Sequence, residues 1–252
     1  MIIKEDVVIT PFDLERTLHI YLPEGYKKSK RSYPVFYMYD GHNLFDDNDA
    51  TYGKSWGIKE FLDNSDYQMI VVGIECNHEK NYRLWEYSPY NFMDPDFGEV
   101  KGQGKEFMQW VVEELKPYID SKYRTLKDRE HTAIGGSSMG GLMSIYTMMR
   151  HSDVFSKGAC VSPYMYHVYD DLKVELESMC PDSKVYMSWG SYENRSKNIF
   201  ARVTHQNCTI ASQFSAKGAI LYLNEVVKGN HSEAAWEKEV PTFMEFLCKD
   251  WK

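Results

Sequence analysis

Cysteine, proline and positive charge are all scarce in this sequence, and each shortage removes a class of protein. Five of the 252 residues are cysteine: Cys76, Cys160, Cys180, Cys208 and Cys248. An odd, scattered set without CxxC spacing supports neither a disulfide framework nor a zinc site. It reads as small buried hydrophobes in a reducing compartment, so a cytoplasmic location is expected. Nine prolines and 16 glycines, with no repeat or polar linker, exclude collagen-like and low-complexity chains. Lys and Arg total 29 against 37 Asp and Glu, a formal charge of −8. That balance argues against a nucleic-acid or anionic-membrane partner, since binding phosphates needs a basic face. The longest apolar runs, such as Met69–Ile74, are far shorter than the roughly 20 residues that span a bilayer. The opening Met1-Ile2-Ile3-Lys4-Glu5-Asp6 turns charged too soon for a secretory leader. Neither a phosphate loop nor a dinucleotide fingerprint occurs, and Asp46-Asp47-Asn48-Asp49 lacks calcium-loop spacing. No cofactor and no metal are therefore expected, and the partner is a small molecule or an oligosaccharide. Self-association into a homo-oligomer is left open.

What is present is an ordinary globular composition, 43% hydrophobic, with a high aromatic share of 15%. Its 19 Tyr and 6 Trp exceed what a core alone requires, so some are expected to line a cleft. Short apolar runs at Val35–Tyr39, Met69–Ile74, Thr132–Gly136, Gly158–Val161, Val185–Trp189 and Ala219–Leu223 alternate with amphipathic segments. Strands covered on both faces read this way, so the spacing predicts an α/β fold with a mostly parallel sheet. Lys4–Thr10 and Arg16–Tyr21, joined by Pro11-Phe12-Asp13, predict an antiparallel hairpin at one edge. Helical faces are expected over Phe107–Tyr118, 197–214 and Trp236–Leu247, with a buried helix at Leu142–Met149. Two long connections, Asp40–Thr51 and Cys76–Gly104, read as binding loops. One domain over 1–252 is the simplest organisation.

Gly136-Ser137-Ser138-Met139-Gly140 follows one predicted strand and precedes the buried helix. A serine on such a corner is lifted clear of the sheet, and small residues two positions to either side avoid a collision. The helix start places the Met139 amide toward the same space, where it can donate to an oxyanion. Ser138 is thus a candidate nucleophile that needs a base and an acid later in the chain, each after a subsequent strand. His231 follows the last strand beside the flexible Gly229 and is the expected base; His205 reads as a helix-surface residue. Glu193 is the carboxylate in Gly190-Ser191-Tyr192-Glu193-Asn194, after the preceding strand, and is the expected acid. Gly41 permits a turn that aims the His42 amide, or else that of Asn43, inward as the second donor. The His42 side chain is expected to shape the pocket rather than ligate a metal.

Tyr37-Met-Tyr-Asp-Gly-His-Asn-Leu-Phe45, Glu114–Thr125, Ile134–Gly141, Ser162-Pro163 and Gly229-Asn-His-Ser-Glu-Ala-Ala-Trp236 together resemble the Putative esterase family of α/β-hydrolases. That group includes enterochelin esterase-like, feruloyl, acetyl-xylan and S-formylglutathione esterases. The resemblance implies an eight-stranded α/β-hydrolase sheet with helices on both faces and a triad falling on Ser138, Glu193 and His231. It also makes Arg83-Leu-Trp-Glu-Tyr-Ser-Pro89 look like a loop beside the cleft, although Arg83 and Glu86 also read as a structural ion pair. Candidate substrate contacts are Asn43, Trp56, Arg83, Trp85, Tyr87, Tyr164, Tyr166 and His167. The expected activity is serine carboxylic ester hydrolysis, on sugar-linked acetyl or hydroxycinnamoyl esters or on short-chain esters. Alternatives are siderophore trilactone hydrolysis, acyl transfer with the same triad, and carbohydrate binding on a non-catalytic hydrolase fold.

Overall fold

Apolar strands alternate with amphipathic helices along the chain, and they assemble into an eight-stranded sheet in the computed structural model, which describes residues 1–176, 179–193 and 197–252. Strands β1 (Ile2–Ile9) and β2 (Leu14–Tyr21) form the expected hairpin, closed by Thr10–Phe12 with Asp13 at φ 52°. Next come β3 (Val35–Tyr39), α1 (Ile58–Asp63), β4 (Ile70–Ile74) and α2 (Tyr82–Glu86). A small antiparallel ribbon of β5 (Phe92–Asp94) and β6 (Gly98–Val100) follows. Helices α3 (Gly104–Trp110) and α4 (Lys116–Lys122) flank a wider turn at Val111–Leu115. Then β7 (Thr132–Ser137), α5 (Met139–Arg150), β8 (Lys157–Val161), α6 (Tyr169–Glu175) and β9 (Lys184–Tyr192) alternate. Finally α7 (Lys197–Ala216), β10 (Ile220–Asn230), α8 (Glu233–Trp236) and α9 (Val240–Cys248) lead toward the C-terminus.

The sheet order is β1-β2-β4-β3-β7-β8-β9-β10. β2 is antiparallel to β1 and β4, and every pair from β4 to β10 is parallel. Alternation along a strand sends successive side chains to opposite faces. In β3, Tyr37 and Tyr39 enter the core under α3, α4, α5 and α7, while Phe36 and Met38 pack with α1 and α9. Two cores, one on each face, are the result. Much of the tyrosine serves them rather than a cleft: Tyr21, Tyr33, Tyr37, Tyr39, Tyr87 and Tyr186 are fully buried. The Tyr186 hydroxyl donates to Glu239 at 2.7 Å and that of Tyr21 to Asp63 at 2.9 Å.

Two connections depart from expectation. The segment Cys76–Gly104, expected as loop, holds α2 and the β5–β6 ribbon. β10, expected as Ala219–Leu223, runs on to Asn230. It is an edge strand exposed along much of its length, so an apolar run marks only its first half. Among the described residues no helix is long and apolar enough to cross a membrane. Because β3, β7, β8, β9 and β10 are parallel, their carboxyl ends share one edge, the place where open α/β sheets collect ligands. Asp40, Ser138, Ser162, Glu193 and His231 follow those ends in turn.

Candidate active site

Ser138 sits between β7 and α5 at φ 57°, ψ −118°, a conformation rare outside glycine and sustained only by its surroundings. Those surroundings are hydrogen bonds from the Ser138 N–H to the Val161 carbonyl at 3.1 Å, and from the Leu142 and Tyr164 N–H groups to the Ser138 carbonyl, each at 2.9 Å. A Cβ on Gly136 would stand 3.2 Å from the Gly140 carbonyl carbon, and one on Gly140 would meet Tyr39 at 2.9 Å. The corner is as tight as the G-x-S-x-G spacing demands. Ser138 is also the one residue between Thr132 and Met149 that is not buried. Two further non-glycine residues with positive φ, Asp40 and Ser162, lie at the neighbouring strand ends. Strain at three neighbouring strand ends makes that edge the candidate functional one.

Glu193 and His231 meet directly, with Nδ1 of the imidazole 2.6 Å from Oε2. The other oxygen, Oε1, accepts from the Gly190 N–H at 2.6 Å and from the Ser162 hydroxyl at 2.5 Å. The Trp236 indole N–H donates to Ser162 at 3.0 Å, and its ring packs edge-on against His231. Burial pushes the Glu193 carboxyl up, but the hydrogen bonds and charge from His231, Gly190 and Ser162 outweigh it and hold the group below the usual carboxylate range. A carboxylate on Nδ1 fixes the tautomer that leaves Nε2 a lone pair. Among the described residues no direct hydrogen bond joins Ser138 to His231.

Met139 is the first residue of α5, so its N–H has no partner within the helix. Among the described residues no acceptor faces the His42 N–H either, while the Asn43 N–H is spent on the Asp40 carbonyl at 2.8 Å. The loop holding His42 is braced on both sides. Gly41 lies so close to β4 that a Cβ would meet the Gly73 backbone at 2.5 Å. Asp40 receives a bidentate grip from Arg83, with both contacts at 2.7 Å. Burial pushes the His42 imidazole down to about 4, so it is neutral at physiological pH.

A cleft of about 390 Å³ opens beside the Glu193–His231 pair. Tyr164, Tyr166 and His167 line it, along with Met165, Ile199 and Val203. Arg202 lies over the Tyr166 ring at 3.6 Å, and His167 stacks on Phe92 at 5.1 Å. The other expected contacts do not line this cleft. Trp56 and Tyr87 are core residues, Trp56 packing on Trp236 and Phe243 and Tyr87 on Tyr39 and Phe107. Trp85 packs against Tyr82, and its carbonyl takes the Gln103 N–H at 2.8 Å. Asn43 braces its own loop, accepting from the Thr51 N–H at 3.0 Å. Arg83 and Glu86 form no pair with each other: Arg83 holds Asp40, and Glu86 holds Arg16 at 2.5 Å. Asp94, Ser162 and Arg202 went unassigned from the sequence. Each reaches the cleft through a tertiary contact, and of the three only Ser162, in Ser162-Pro163, belongs to a motif that the family resemblance marked.

Sheet order, serine corner and acid–imidazole pair together define a protein of the α/β-hydrolase class. The sequence model of the Putative esterase family matches residues 10–247, and the chain belongs to that family. Fold and family place it among ester hydrolases. It is 24% identical over 195 residues to YbbA of Bacillus subtilis, covering 74% of this chain and 72% of that one. It is 28% identical over 186 residues to an endo-1,4-beta-xylanase/feruloyl esterase of Xylanibacter ruminicola, covering 71% of this chain but 23% of that protein. An IroE-like serine hydrolase from Shewanella oneidensis superposes with a TM-score of 0.77 at 20% identity, over 98% of this chain and 80% of that one.

Proposed function

We propose that this chain is a serine carboxylic ester hydrolase that works through an acyl-enzyme. Ser138 Oγ attacks the ester carbonyl while His231 Nε2 takes its proton, and Glu193 holds and stabilises the resulting imidazolium. The N–H groups of Met139 and His42 receive the oxyanion. The imidazolium then protonates the departing alcohol, leaving an acyl group on Ser138. Water, deprotonated by the same imidazole, releases the acid.

The observation carrying this reading is the 2.6 Å Glu193–His231 bond, at the same sheet edge as a serine that alone reaches solvent from an otherwise buried corner. A serine–imidazole hydrogen bond need tighten only when substrate is seated, so its absence at rest is compatible with the mechanism. The cleft walls of Tyr164 and Tyr166, with Arg202 beside them, suit stacking on a sugar or an aromatic acyl group. Sugar-linked acetyl or hydroxycinnamoyl esters are the substrates we favour, and the name of the Xylanibacter relative supports the second.

The test is Ser138→Ala assayed on p-nitrophenyl acetate, methyl ferulate, acetylated xylo-oligosaccharides and a catecholate trilactone. Turnover is expected to fall by roughly 10⁴-fold or more with the circular dichroism unchanged. A fluorophosphonate should label the parent protein and not the variant. Near-parent turnover in Ser138→Ala overturns the mechanism, and absence of labelling in the parent favours a binding protein on the same fold.

A further inference from the structure

Behind the loop that carries His42 lies a group of side chains that the ester reaction leaves unused. His42 follows β3, and Cys76 and His78 follow the adjacent β4. Each offers one donor atom, and the three atoms lie within 4.8 Å of one another. Cys76 is 3% exposed and His42 6%. His78 reaches solvent, with its ring centroid 4.5 Å from that of His42.

The hydrogen bonds around the two imidazoles leave one nitrogen of each ring without a partner among the described residues. His42 Nε2 is bonded to Thr51 Oγ1 at 3.0 Å, while its Nδ1 is buried and has no partner. A buried polar atom left unmet in this way is costly to the fold. That unmet nitrogen, on a residue grouped with a second imidazole and with a buried thiol hydrogen-bonded to Asp40, points to a ligand. His78 Nε2 faces Glu75 Oε2 at 3.4 Å, and its Nδ1 makes no hydrogen bond among the described residues. An outer hydroxyl or carboxylate on the far ring nitrogen is the arrangement metal-bound histidines adopt.

We propose that His42, Cys76 and His78 form a binding site for a divalent cation of the zinc type, with water as the fourth ligand. Two imidazoles and one thiolate match the borderline-soft preference of Zn²⁺ and disfavour Mg²⁺ or Ca²⁺. On binding, the Cys76 proton is released to solvent and one S–metal and two N–metal bonds form, with no change of oxidation state. Metal–ligand bonds of about 2.0–2.3 Å place donors roughly 3.3–3.8 Å apart. The exposed His78 has the freedom to swing in and close that difference. Glu75, bonded to His19 at 2.6 Å and facing His78 at 3.4 Å, offsets the added charge. The sequence hid this site because one ligand lies far from the other two and no CxxC pair is used.

The test uses the full chain, freed of metal by chelator dialysis, and reads binding, so it does not depend on the esterase reading. Zn²⁺ is titrated against a chromophoric chelator, and Co²⁺ is followed by thiolate-to-cobalt charge-transfer absorption. One ion per chain and a charge-transfer band are expected. Cys76→Ser should abolish the band, and His78→Ala should weaken Zn²⁺ binding at least about tenfold, the scale on which altering a metal site acts. Metal-free ester turnover in His78→Ala should stay at the parent value. Cys208→Ser, which removes an exposed thiol, should leave the band intact. No one-to-one site in the parent, a band that survives Cys76→Ser or vanishes in Cys208→Ser, or unchanged binding in His78→Ala overturns the proposal. Should Cys76→Ser fail to fold, the exposed His78→Ala decides alone.

Discussion

Glu193 shows how a carboxylate acquires a role from whatever holds its two oxygens. Oε1 is occupied by the Gly190 N–H and the Ser162 hydroxyl, so Oε2 is left for the imidazole. An amide in its place must turn an NH₂ group toward a donor on one side or the other. Glu193→Gln is therefore expected to favour the wrong imidazole tautomer and to lower kcat by about 10²–10⁴-fold. Steady-state kinetics alongside a melting curve checks this, and a kcat within a few-fold of the parent refutes it. Glu193 was legible because it is the one carboxylate in Gly190–Asn194. Ser162 was not, since its hydroxyl matters only once β8 and β9 lie side by side. Trp56 and Tyr87 were misjudged for the converse reason: an aromatic residue in a loop gives no local sign of whether it faces a cleft or the core.

The elements that deliver acid and base depend on one close crossing. A Cβ on Gly190 in β9 would meet the Gly229 carbonyl oxygen in β10 at 2.2 Å and its carbon at 2.5 Å. The register of the two strands shifts between Val226 and Asn230, and Lys228 takes φ 59° to make the bend. Backbones that approach so closely let Glu193 and His231 meet beyond them. Gly190→Ala is expected to force the strands apart, costing roughly 1–3 kcal/mol and lowering Tm by about 2–10 °C. Turnover should fall at least tenfold while KM changes little. An unaltered kcat would show that the crossing does not set the pair. At this scale the parallel strands were readable as apolar runs, because burial on both faces leaves a continuous signature. The β5–β6 ribbon and the end of β10 are exposed on one side, which breaks that signature into residues that read as loop.

Across the whole molecule, buried carboxylates pull stability in two directions. Burial raises Asp40 and Glu193, but Arg83 at the first and the His231, Gly190 and Ser162 contacts at the second bring both below the usual range. A folded value below the unfolded one stabilises fully above about pH 4 and is lost as pH falls further. Glu86, pushed up to about 7 by burial, and Glu233 and Glu239, raised for the same reason, act oppositely and lose stability as pH rises. Calorimetry from pH 3 to 8, a range of about five units around these values, should show Tm dropping on the acid side. That limb should be shallower in Glu193→Gln, where one titrating carboxylate is gone, and parallel acid limbs would contradict the assignment. The layered architecture was visible in the chain, whereas the Arg83–Asp40 and Arg16–Glu86 pairings were not, because partners so far apart leave no pattern in either neighbourhood. Ser138, the proposed nucleophile, sits on a corner with no slack, walled by glycines and buried segments, while His231, the proposed base, rides at the end of an exposed border strand. Under the proposed mechanism, adjustment to alcohols of different bulk falls to the imidazole side, where changes in β10 and the residues after it leave the serine's seat undisturbed.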